Sequence, residues 1–123
     1  MLIIRTEQIA ALGAARRLAF ESAMAEHLEQ TFPDWASSLG NERLRSFVRH
    51  GIARAREHGF QSEVDIGRYL HVMQVLGERF DESTEYPWAL PLLASELPPE
   101  QKIDRLRDAM DYELEVRRIN HVR

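Results

Sequence analysis

The chain has 123 residues, a formal net charge of −4 and no cysteine. That length predicts one domain over residues 1–123 able to bury its own core, and the missing thiols exclude disulfide scaffolds, thiol catalysis and Cys-based zinc sites. Hydrophobic residues are 44% and charged residues 29%, with six glycines and five prolines, which is a globular composition and not a disordered or low-complexity one.

Two further classes drop out on charge and hydropathy. All but Lys102 of the 16 basic residues are arginine and they are outnumbered by 20 acidic residues; an acidic chain without a basic tract is a poor binder of nucleic acid. No apolar run approaches the roughly 18 residues that a membrane span requires. The opening Met1-Leu2-Ile3-Ile4-Arg5 lacks the basic start and small-residue cleavage site of a signal peptide. The expected setting is cytoplasmic, with neither nucleic acid nor membrane as partner.

The first periodic segment runs from about Glu7 to Phe32, with Thr6 as N-cap and Pro33 as the stop. Ile9, Leu12, Arg16, Phe20, Ala23, Met24 and His27 fall on one side of a 3.6-residue helix. The alanines between Ala10 and Ala25 favour helix, and Gly13 is its weak point. Pro33 to Gly40 reads as one or two extra turns. Asn41 opens a second long helix from Glu42 to His58, ended by Gly59. Its buried stripe is Leu44, Phe47, Val48, Gly51, Ile52 and Ala55, with Arg43, Arg45, Arg49, Arg54 and Arg56 along the borders.

Ser62 to Asp65 has the form of a capping box and predicts a third helix to about Phe80. Val64, Ile66, Tyr69, Leu70, Val72, Met73, Val75, Leu76 and Phe80 cover most of its circumference, leaving the strip Gly67, His71, Gln74 and Glu78. A helix apolar nearly all round belongs at the centre of a core. Asp81 to Glu85 follows as an acidic loop without an apolar anchor, and Pro87 to Leu93 as a short proline-punctuated helix. The last helix runs from about Glu100 to Arg118 on the stripe Ile103, Leu106, Met110 and Leu114. Only Leu2 to Arg5 offers a strand-like start. The predicted fold is all-α: a single compact bundle of about four long helices plus two short ones.

Chemistry is sparse. His27, His50, His58, His71 and His121 contain no pair at the i, i+4 spacing of a metal site. His71 and Glu78, seven apart, would share a helix face, but two ligands without a third read better as a polar seam. There is no Gly-rich phosphate loop, no Gly-x-Ser-x-Gly elbow and no His-Glu-x-x-His helix. The expectation is a chain with no catalytic residue, no cofactor and no metal. The last helix is more informative. Opposite its core stripe stands a second apolar row, Tyr112, Val116 and Ile119, flanked by Arg117 and Arg118. Either the Pro87 to Leu93 segment covers this row, or it is a surface for another protein or a second copy of the chain. Trp35 and Trp88 are core plugs or interface anchors.

The stretch Leu76-Gly77-Glu78-Arg79-Phe80-Asp81, followed by Tyr86-Pro87-Trp88-Ala89 and preceded by His58-Gly59 and Ser62-Glu63, resembles small helical accessory proteins of bacterial type VI secretion, encoded beside spike and PAAR-tipped effector genes. The resemblance implies a protein-binding adaptor or co-chaperone for an effector or spike component. It equally implies an immunity protein that neutralises a toxin, for which Asp81, Glu82 and Glu85 would enter a basic active site.

Overall fold

The computed structural model describes residues 6–122, with side chains from 13 to 120. Among these residues the fold is all-α and contains no strand. There are four long helices, α1 (Thr6–Thr31), α3 (Asn41–Glu57), α4 (Glu63–Leu76) and α6 (Pro99–Val122); the short α2 (Pro33–Leu39) lies between α1 and α3, and the short α5 (Ala89–Leu93) between α4 and α6. A 3-10 turn spans Phe80–Glu82. Where the length predicts one domain, the contacts gather into two compact units, one up to Arg49 and one from His50 onward.

In the first unit α1 is a single helix, and α2 starts at Pro33 directly after it. Pro33 fits there because its missing N–H falls among the donors that a helix start leaves unpaired anyway. Among the described side chains of α1, Met24, Ala25 and Leu28 are buried, whereas Arg16, Ala23 and His27 are exposed and Phe20 is half-buried. The expected stripe is therefore rotated, because the packing of α2 selects the buried side of this Ala-rich helix. The side chains of Ile9 and Leu12, like the Leu2 to Arg5 segment and the ring of His121, lie outside the described residues. Trp35 meets Phe47 edge-on at 4.9 Å between ring centroids, and Phe32 lies 6.5 Å from Trp35. Trp35 is thus a half-buried plug and not a free anchor.

In the second unit α4 takes the central place. Ile66, Tyr69, Leu70, Val72 and Met73 are fully buried. The Ser62 side chain accepts a hydrogen bond from the Asp65 N–H at 3.1 Å, as the capping signal predicts. Against the apolar pattern, Val64 at the first turn is 62% exposed. The helix also stops at Leu76 and not near Phe80. Gly77 has φ 119°, a conformation that side-chain-bearing residues resist, and its N–H closes on the Met73 carbonyl at 2.8 Å. Gly51 of α3 allows close approach to α4: a Cβ there would lie 2.0 Å from Leu70 Cδ2. On α6, Ile103, Leu106 and Met110 are buried and pack toward α4. Leu114, the last residue of the expected stripe, is 40% exposed.

Candidate functional site

Two features of the second unit stand out: a buried charged node and an apolar helix face open to solvent. The node centres on Asp81, 3% exposed, in the turn that follows α4. Its Oδ2 accepts hydrogen bonds from Arg54 Nε at 3.0 Å and from a terminal Arg54 nitrogen at closer range. His58 Nε2 lies at 2.9 Å and the Tyr69 hydroxyl at 3.4 Å from the same oxygen. An ionised carboxylate only accepts, so the His58 nitrogen facing it carries the proton. Burial pushes the Asp81 carboxyl up, but the hydrogen bonds and positive charge of His58 and Arg54 outweigh it, and the net shift is downward. The Asp81 hydrogen bond in turn raises the Arg54 guanidinium. Burial, then the Asp81 charge, pushes the Tyr69 phenol upward.

Arg54 also pairs with Glu57 at 2.8 Å and Glu82 at 3.5 Å. Beside the node, Lys102 Nζ donates to the His58 carbonyl at 3.2 Å and stands 6.0 Å from the Phe60 ring centre. The lone lysine thus places a cation at the C-terminal end of α3, where the helix dipole favours it.

This geometry corrects the reading of Asp81 as part of an exposed acidic loop. Phe80 is the apolar anchor of that segment, 1% exposed with its ring 5.4 Å from Tyr69, and it carries Asp81 inward. Glu82 and Glu85 remain on the surface, where Glu85 meets Arg117 at 3.5 Å. Periodicity placed Arg54 on a helix border and His58 at a helix end. Their joint partner 23 to 27 residues away was signalled only by the motif residues His58-Gly59 and Phe80-Asp81. Those motif residues hold the fold together. The His71 and Glu78 pairing does not form on one helix face, since Glu78 follows the Gly77 break. Among the described residues no cluster of three or more His, Cys, Asp or Glu is spaced to hold a metal ion. Two open depressions in the first unit, of about 600 and 420 Å³, are lined by residues such as Arg43, Arg45 and Arg49 or Glu29, Ser37 and Gly40. Neither depression includes a residue of the Asp81 node.

The second feature is α6. Its inward side, Ile103, Leu106 and Met110, continues through Glu113 and Arg117 and not through Leu114. Trp88 Nε1 donates to Glu113 at 3.0 Å, and the Arg117 guanidinium stands 5.4 Å from the centre of the buried Tyr86 ring. The Pro87 to Leu93 segment therefore meets this edge and leaves the opposite row open. Tyr112 is 69% and Ile119 51% exposed, with Val116 half-buried between them. Arg117 turns away from that row toward Tyr86 and Glu85, which removes it as a rim anchor. Arg118 pairs with Glu115 on its own helix.

No protein-family model, no curated protein and no solved structure matches the chain. The candidate surface rests on geometry alone.

Proposed function

We propose that this chain is a non-enzymatic, protein-binding accessory module that contacts its partner through Tyr112, Val116 and Ile119. One observation carries the reading: an aromatic and a β-branched side chain lie open on α6, while on the opposite side Ile103, Leu106 and Met110 are buried and Glu113 and Arg117 meet Trp88 and Tyr86. A contiguous apolar patch of this kind marks an interaction site, and aromatic anchors contribute most of the affinity at such sites. The resemblance of the Leu76 to Asp81 and Tyr86 to Ala89 stretches supports a cytoplasmic adaptor or co-chaperone for a type VI secretion effector or spike component. The immunity reading is weakened by Asp81, whose carboxylate is committed to Arg54, His58 and Tyr69 inside the chain. Among the described residues no helix is long and apolar enough to cross a membrane.

The test is co-expression with the products of the neighbouring genes, comparing the natural chain with Tyr112→Ala and Ile119→Asp. Capture of one neighbour by the natural chain and its loss in both variants, with circular dichroism unchanged, is the expected result. Undiminished capture by both variants refutes the α6 surface. Capture of a toxin domain, with protection of a cell exposed to it, would select the immunity role.

A further inference from the structure

Beside the apolar row, α6 carries Asp104, Asp108, Asp111 and Glu115, at spacings of four, three and four, all exposed. At 100° per residue these carboxylates fall within about 60° of one another and border Tyr112 and Ile119 along one edge. Among the described residues only Glu115 of the four has an ion-pair partner, Arg118 at 2.5 Å. Arg107 and Arg118 stand on the outer side of the stripe, and Arg105 lies in line with the apolar row about two turns before Tyr112. The edge shared by stripe and row is therefore acidic.

From this juxtaposition, and resting on the reading of α6 as a docking surface, we infer that the partner presents a basic amphipathic helix. Its apolar side chains would lie on Tyr112, Val116 and Ile119, with Lys or Arg residues along Asp104, Asp108, Asp111 and Glu115. Helix-on-helix recognition uses apolar anchors at spacings of three and four, matching the row. Flanking charges then set which partner is accepted. A second copy of the chain is the poorer occupant. Packed antiparallel on the same face, it would set its own carboxylate stripe against this one, and each copy already carries a net charge of −4.

The test uses the full-length chain and three designed peptides in a fluorescence titration. The first is an amphipathic helix with a leucine face and lysine flanks. The second has the same face with glutamate flanks. The third is a scramble of the first that keeps its composition. The expected result is binding of the lysine-flanked helix alone, weakening as salt rises. The combined variant D104N/D108N/D111N should bind it about tenfold more weakly, with a flatter salt dependence. Ile119→Asp should abolish binding. Equal binding of the glutamate-flanked helix, or no loss in the neutralised variant, overturns the basic-partner inference. If Ile119→Asp abolishes binding in that case, the docking surface still stands. Equal binding of the scramble, absence of binding by all three peptides, or a dimer that Ile119→Asp converts to monomer also overturns the inference. Failure of the surface itself reads differently: Ile119→Asp then leaves binding of the lysine-flanked helix untouched.

Discussion

Replacing Asp81 by asparagine keeps the side-chain shape but removes the charge on which the node depends. In the natural chain one oxygen accepts from Arg54 Nε at 3.0 Å, from His58 Nε2 at 2.9 Å and from the Tyr69 hydroxyl at 3.4 Å. Charge-assisted bonds of this kind contribute about 1.5–3 kcal/mol each, and breaking a buried ion pair by neutralising one partner costs about 3–5 kcal/mol. Two features reduce the sum. Arg54 keeps Glu57 at 2.8 Å, and its side chain is 22% exposed, so water screens part of its charge. The expected loss is about 3 kcal/mol, read as a lower midpoint in urea denaturation followed by far-ultraviolet circular dichroism at pH 7. The sign of the pH dependence follows from the lowered Asp81 carboxyl. Its contribution is fully present above the ordinary carboxylate range, and it fades as pH falls below about 4 and through the folded value. The gap between natural chain and variant should therefore narrow in acid. A loss below about 1 kcal/mol at pH 7 would falsify the account of Asp81 as a structural anchor.

Two further perturbations test the packing. Leu70→Ala removes a fully buried side chain at the centre of the second unit, and chemical denaturation should show a loss of about 2–5 kcal/mol; a loss under about 1 kcal/mol would mean that α4 is not the core helix. Tyr86→Phe deletes a buried hydroxyl that has no hydrogen-bond partner, so the variant should be as stable as the natural chain or more stable, by about 1 kcal/mol. A clear destabilisation in the same assay would show that this hydroxyl is hydrogen-bonded in solution.

Local features were legible in the chain of residues alone. Helix starts and stops are decided by a few neighbouring residues, so Pro33 opening α2, Ser62 capping α4 and a short helix between Pro87 and Leu93 were all legible, as was the all-α class. The buried circumference of α4 and the buried start of the α6 stripe were legible for the same reason: apolar spacing is a property of one helix. The Gly77 stop was missed because a uniform apolar pattern running on to Phe80 outweighed the single glycine. Tertiary structure decided the rest. Which side of the Ala-rich α1 is buried depends on α2, since small side chains express little preference of their own. The division of contacts at Arg49 and His50 has no local mark, as it falls inside α3. Asp81 looked like a surface carboxylate beside Glu82, and only its meeting with Arg54, His58 and Tyr69 makes its burial affordable, because a charge leaves water only when a partner from elsewhere in the chain replaces it. The apolar row of α6 was visible in the sequence, but its exposure was not. That depended on where Tyr86 and Trp88 came to rest, and they engage Glu113 and Arg117 while leaving Tyr112 and Ile119 open to solvent.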